Sequence, residues 1–382
     1  MSDIYLSNGT YLDGGIGPNA IESMTTPLRR TNMAFTGMDK GRPGVFFMFA
    51  EAAQERLSPI DGLTALLATG YGTPAVAGET YTFESRSAAK DGLGAVSTAY
   101  EAAKKAFDGG ATRVIVRTLP ATPVVADYEA AQIALAVDRF DAITFDHIPA
   151  ADALTSMATW LENERIDNER YIFMVTGGDA ARDADADLGI AAVLAHRDEF
   201  IVNVLNTPKF ADATFTSAEW APYVAGQLAS MSLAGSLTFS RVDGAIDVSK
   251  RHTPVDIKAI LVAGGFVYEY NGELVRSVRG LATDGAKLRK SLLKQAMATD
   301  IKRLVENNWI GKKANGPNQR LALEGVIGAY IDTLVKVEIL DPEFTVSVTK
   351  PDGSADDQVA VAVSVKFYDT MEEVYVTVGF RA

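Results

Sequence analysis

The sequence contains no cysteine and only three histidines in 382 residues. The first absence removes disulfides, thiolate metal sites and cysteine nucleophiles together, so stability must come from packing, strand pairing or oligomerisation. His147, His196 and His252 lie far apart, with no spacing such as H-x-x-x-H, so neither a metal nor a cofactor is expected. Also missing is any run of eighteen uncharged apolar residues, and the opening "MSDIYLSNGTYLDGG" has neither a basic start nor an apolar stretch. The expectation is a protein that does not insert into a membrane and stays where it is made.

Positive charge is in deficit, with 36 Lys and Arg against 49 Asp and Glu, a net of -13. A surface that neutralises phosphates needs the opposite balance, so nucleic acid is not the expected partner. The deficit is unevenly spread. Arg251 to Arg320 holds thirteen basic and six acidic residues, a net of +7, whereas Asp341 to Ala382 holds three basic and eight acidic, a net of -5. A chain polarised in this way can pair with copies of itself or with a partner of opposite sign.

What is present is 47% hydrophobic residues, enough for a substantial core. The first forty residues are rich in Gly, Asn, Ser and Thr and read as an arm. "RPGVFFMFAEAA" then predicts a strand over Val45, Phe46, Phe47, Met48 and Phe49, apolar on both faces and without a hairpin partner nearby. From there a helix-to-strand unit recurs. The periodicity predicts helix Ala95 to Phe107, stopped by Gly109-Gly110, then strand Arg113 to Thr118. Helix Tyr128 to Val137 precedes strand Ala142 to Phe145, Ala153 to Asn163 precedes Tyr171 to Val175, and Ile190 to His196 precedes Phe200 to Leu205. Such alternation predicts an α/β layer with a largely parallel sheet.

After a further helix near Ala218 to Ala229 the pattern changes. "IKAILVAGGFVYEYNGELVRSVRGLAT" reads as β-rich, with Asn271-Gly272 at a two-residue hairpin turn. Two helices follow, about Lys287 to Asn307 and Leu321 to Val337, and then strands Phe344 to Thr349, Val359 to Phe367 and Val374 to Phe380. In the second of these, Val359, Val361, Val363 and Val365 alternate with small or polar residues, the mark of one buried face.

The search for chemistry finds little. "DGLGAVS" carries G-x-G before a helix, but no strand precedes it and the third glycine is absent, so helix capping is the better reading. "VAGGF" leads into a strand rather than a helix. Asp146-His147 resembles part of a triad, yet no G-x-S-x-G elbow or oxyanion loop accompanies it. "KLRKSLLKQAMATDIKR" is a basic helix on which Lys287, Arg289, Lys290 and Lys294 read either as a solvated face or as a docking surface for an acidic partner. "DTMEEVYVTVGF" is apolar on both faces over Val374, Tyr375, Val376, Thr377 and Val378. Left unpaired, it and Val45 to Phe49 would invite aggregation, so both look built to be completed by another sheet.

The combination resembles the tail sheath proteins of contractile injection systems: contractile phage tails, R-type bacteriocins and related devices. "RPGVFFMF", "AYEAAKKAFDGGATRVIVRTL", and "GELVRSVRGLAT" together with "KFYDTMEEVYVTVGF" carry the likeness, which runs from about Arg42 across most of the chain. It implies a helix-strand alternating α/β core plus an α+β C-terminal domain, flanked by extended strand-donating arms. The corresponding divisions are 1–55, an arm with donor strand; 56–245, an outer α/β domain; 246–368, the C-terminal core domain; and 369–382, a second donor strand.

In this reading Val45 to Phe49 and Val374 to Val378 add strands to neighbouring subunits, and the heterologous contact propagates into stacked rings. The hairpin about Asn271-Gly272 belongs to the receiving domain, and the basic helix contacts tube or neighbouring sheath subunits. The implied partners are further copies of the chain, an inner tube protein, and baseplate and tail terminator proteins. The implied location is a virion tail or bacteriocin-like particle, assembled in the bacterial cytoplasm. The competing readings are an α/β enzyme with a concave polar site and a non-contractile self-assembling virion protein.

Overall fold

A computed structural model describes residues 62–378. Five of the first six strands in this span, β1 (Leu63–Ala68), β3 (Arg113–Thr118), β4 (Ala142–Phe145), β5 (Phe173–Thr176) and β6 (Ile201–Asn203), run parallel. With β2 (Thr80–Phe83) antiparallel at one edge they form a mixed six-stranded sheet in the order β2-β3-β1-β4-β5-β6. Nearly every residue of β1, β4, β5 and β6 is buried, as a sheet covered on both faces requires.

The covering helices alternate with the strands. Helices α1 (Arg86–Leu93) and α2 (Thr98–Asp108) enclose one face with Leu66, Ala68, Val114 and Val116. The opposite face, Ala65, Leu67, Ile115 and Ile143, packs under α3 (Val125–Leu135) and α4 (Ala151–Asn168). Two short helices, α5 (Ala180–Ala184) and α6 (Ala186–Ala195), lead to β6, and α7 (Ser217–Ser230) returns beneath β4 and β5. Four of these helices lie within a few residues of the expected ones. The strand β1, central to the sheet, was not expected: "LTALLA" has the composition of a helix and betrays its strand state only through its neighbours.

Close approach of α2 and α7 depends on glycine. A methyl group on Gly226 would stand 2.1 Å from the carbonyl oxygen of Ala106, and one on Gly109 2.1 Å from that of Tyr223. The chain reversal after α2 is made by Gly110 at φ 111°.

Beyond α7 lie the short pair β7 (Pro208–Lys209) and β8 (Asp247–Val248), then α8 (Pro254–Ala263). That helix corrects the β-rich reading of its segment: Thr253 and Asp256 form a reciprocal capping box with Pro254 at the first helical position. Next, β9 (Tyr268–Tyr270) and β10 (Val275–Ser277) make the expected hairpin, displaced by one residue. The Asn271 amide donates to Leu274 O at 3.2 Å, so Gly272, at φ 101°, and Glu273 are the two central residues. Asn271 instead accepts from the amides of Glu273 and Leu274.

Two long helices, α9 (Leu288–Asn308) and α10 (Pro317–Lys336), and the hairpin β11 (Thr345–Thr349) with β12 (Ala360–Ser364) complete the described chain. They share one hydrophobic cluster with the sheet, in which Phe173, Phe200, Val224, Tyr268, Leu292, Ile327 and Val365 all take part. Trp220 of α7 donates to the hydroxyl of Tyr268 at 3.1 Å, pinning β9 to the sheet layer.

Candidate interaction surfaces

Ligands in parallel α/β sheets bind beyond the carboxyl ends of strands where the strand order reverses, here beside β1. That crevice is filled by the chain itself. Asp146, its side chain fully buried, accepts from the amides of Thr69 and Gly70 at 2.9 Å and from the Thr98 hydroxyl at 3.1 Å. Its neighbour His147 reaches Asp146 at 2.8 Å through Nδ1 and the Tyr128 hydroxyl at 2.6 Å through Nε2. Burial alone would raise the Asp146 carboxyl, but the hydrogen bonds from His147, Thr69 and Gly70 hold it below its ordinary value. Both ring nitrogens are engaged, so the histidine acts as a staple between α3 and the strand ends. The G-x-G stretch is capping sequence: Gly94 ends α1 at φ 85°, and the Ser97 side chain accepts from Tyr100 N at the start of α2.

The basic stretch at the start of α9 is engaged within the chain. Arg289 is 9% exposed and donates to Leu233 O. Lys294 binds both carboxylate oxygens of Glu199, at 2.8 and 2.6 Å. Lys287 meets Asp369 at 2.5 Å and Glu372 at 2.9 Å. Lys290 is half-buried.

The residues after β12 are arranged differently. Phe367 bridges to Leu340, and Tyr368 N donates to Ile339 O. Then Glu372, its side chain only 8% exposed, is held by the Thr238 hydroxyl at 3.0 Å, Arg279 Nε at 2.8 Å and Lys287. Burial opposes the Glu372 charge, yet hydrogen bonds from Lys287, Arg279 and Thr238 bring its carboxyl below the usual range. Immediately past this point the chain leaves the body. Val374, Tyr375, Val376 and Val378 are 72, 90, 77 and 67% exposed. Thr377 is exposed too, and among the described residues no strand pairs with 374–378. The expected strand to Phe380 is thus absent over its described part. Val45 to Phe49 lies outside the described residues.

An open sheet edge lies elsewhere on the molecule. The amide of Val348 in β11 donates to Glu324 of α10 at 3.1 Å, so it faces away from β12. In an antiparallel pair its opposite residue, Val361, must then turn its amide away from β11, and Val363 opposite Val346 does the same. Among the described residues no strand lies on that side of β12. The outer edge of β6 is closed by contrast, since Phe266 N binds Asn203 O and Thr283 N binds Ile201 O. Sequence reasoning missed Thr238, Arg279 and the β12 edge; the opposite charges of the two stretches were the available signal for Arg279 alone.

No helix among the described residues is long and apolar enough to cross a membrane, and no group of three or more His, Asp or Glu among them could hold a metal ion. The family model described as the phage tail sheath protein central domain matches residues 121–283. No curated protein matches the chain in sequence. Among solved structures the fold is similar to a sheath tail protein from Desulfitobacterium hafniense, with 15% identity and a TM-score of 0.61 over 85% of this chain and 100% of that one. It is similar also to a sheath tail protein from Listeria innocua, with 14% identity and a TM-score of 0.61 over 81% and 95%. A third is the helical sheath of the anti-feeding prophage in its contracted state, with 16% identity and a TM-score of 0.62 over 88% and 98%.

Proposed function

We propose that the chain is a phage tail sheath protein, as the match of its residues 121–283 to the central domain of that family supports, and that it is the subunit of a contractile sheath that polymerises around an inner tube and shortens to drive the tube through a cell envelope. It is a structural protein rather than an enzyme. The observation that carries the mechanism is the apolar segment Val374 to Val378, exposed and unpaired among the described residues while its root is fixed. A strand of that character is stable only when a sheet receives it. We assign the receiving edge to β12 of a neighbouring copy, with the β9–β10 hairpin in the same receiving domain and Val45 to Phe49 as the second donor. Because each copy both gives and receives, the contact is heterologous and builds a helical lattice.

In this reading 1–55 and 369–382 are arms, 56–245 is the outer α/β domain and 246–368 the lattice-forming domain. Tube, baseplate and terminator proteins are the further partners, within a phage tail or a phage-like particle. Contraction draws on the difference in packing free energy between two lattices, without nucleotide hydrolysis.

Negative-stain microscopy of the purified protein tests the proposal. Hollow cylinders with a ring repeat are expected, and deleting residues 374–382 should leave a folded core that forms none. A compact monomer under all assembly conditions would overturn it. Contact between the start of α9 and the tube is tested by charge reversal at Lys290 and Lys294, with Arg289 left in place because its buried guanidinium serves Leu233 O. Normal assembly on the tube after that reversal would exclude the contact.

A further inference from the structure

A donated strand transmits force only if its root stays attached to the subunit that donates it. Between Tyr368, whose amide is bound to Ile339 O, and the exposed Val374, the segment "DTMEE" offers no apolar anchor; Met371 is 93% exposed. Fixation there comes from charge. Asp369 and Glu372 meet Lys287, Glu372 and Glu373 meet Arg279, and Glu372 also accepts from Thr238.

These three partners come from separate parts of the fold. Lys287 is the N-cap residue of α9, Arg279 follows β10, and Thr238 lies in the connection between α7 and β8. Each is held in turn. Thr238 accepts from Gly280 N at 3.2 Å, which leaves its hydroxyl proton for Glu372. Ser277 binds the carbonyls of Leu237 and Ser240 on either side of it. The intervening Phe239 has φ 55°, a strained value for a bulky side chain, and its ring lies under the Arg276 guanidinium at 3.6 Å. Strain of this kind persists only where the surroundings over-determine it, as the Ser277 and Arg276 contacts do here.

We infer that Thr238, Arg279 and Lys287 form a built receptor for the Glu372 carboxylate, and that this receptor is the mechanical anchor of the C-terminal arm, fixing where the donated strand leaves its own subunit. Resting on the sheath reading, the inference adds the positioning residues on the donor side of the joint. Three converging donors give the root a defined position, whereas an apolar contact would let it slide. Burial of the Glu372 carboxylate, its side chain 8% exposed, makes its pairs less sensitive to salt than surface pairs are. The free arm therefore begins at Val374, and residues 374–378 are pre-directed toward the neighbour.

The absence of cysteine permits a direct test. A nitroxide on Tyr375→Cys reports the mobility of the arm three residues beyond Glu372 in dispersed subunits. The Glu372→Gln variant is expected to shorten the label's correlation time at least threefold and to raise the critical concentration for cylinder formation tenfold or more. The thermal midpoint of the subunit should stay unchanged, because Gln keeps the shape. The pair Arg279→Gln with Lys287→Gln should behave likewise, and Arg279→Lys with Lys287→Arg should restore both readouts. Unchanged mobility in Glu372→Gln would overturn the anchor, and so would raised mobility with an unchanged critical concentration. Failure of the unsubstituted chain to form cylinders would instead count against the sheath reading, while the label still judges the anchor in dispersed subunits.

Discussion

Substituting Val376 by Asp separates folding from assembly. In the free subunit this side chain is about three-quarters exposed, so the change should alter stability by no more than ~0.5 kcal/mol. In a neighbour's sheet the balance is different. Covering the three exposed valines contributes about 1.5 kcal/mol each and Tyr375 about 2. Some four backbone hydrogen bonds add roughly 1 kcal/mol apiece, against about 1.5 kcal/mol of ordering entropy for each of about five residues. The surplus is on the order of 3 kcal/mol per joint, so a single joint is weak and a lattice needs many together. An unpaired carboxylate in that strand loses the valine's share and adds several kcal/mol of desolvation, which exceeds the surplus. Sedimentation velocity and negative-stain images should therefore show dispersed subunits with a thermal midpoint within ~2 °C of the parent. Val376→Ile, which keeps the strand character, should still assemble. The reasoning is refuted if Val376→Asp forms cylinders at the parent's concentration, or if its midpoint falls as far as a core cavity would lower it.

Gly226→Ala should destabilise the subunit by about 2–3 kcal/mol in chemical denaturation, because its methyl group would meet Ala106 O and force α2 from α7; a loss below 1 kcal/mol would mean the helices part freely. Asp183, buried beside Ser217, has its carboxyl raised to about 6 by desolvation, against which the Ser217 hydrogen bonds act. A raised acid binds its proton first in the folded state, so this group adds stability as pH falls from 7, about 1 kcal/mol by pH 5. Burial lowers the pKa of His196 and His252, which act in the opposite direction. They do so in parent and variant alike, so the difference between the parent and Asp183→Asn isolates the carboxyl. Parallel stability curves over pH 5–7 would show that Asp183 titrates normally.

The α/β layer was legible because its signals are local. Amphipathic spacing and Gly109-Gly110 define α2, and alternation with apolar runs gives β3 to β6. Where a tertiary neighbour decides the state, the sequence misleads. "LTALLA" becomes β1 because two helical layers cover it, although leucine and alanine favour a helix. The misreading of α8 is of another kind, since Thr253, Pro254 and Asp256 state a helix start in the sequence itself. The hairpin shift follows from Asn271, which accepts two amides through its side chain and leaves positive φ to Gly272.

The anchor was visible only as an imbalance of charge. The basic excess between Arg251 and Arg320 and the acidic excess after Asp341 suggested pairing with another molecule, yet Arg279 and Lys287 meet Asp369, Glu372 and Glu373 across some ninety residues of their own chain. No spacing rule reaches that far, because the contact exists only once the hairpin and α9 are packed together. The consequence is a division of labour. Charge within the subunit sets where the arm begins, and apolar surface beyond it determines what the arm joins. An intersubunit contact built from those same charges would have to break the anchor in order to form, whereas strand addition downstream of Glu373 leaves it intact. Under the proposed assembly, donation by residues 374–378 is therefore the arrangement in which neighbouring copies could hold one another while each keeps its own arm.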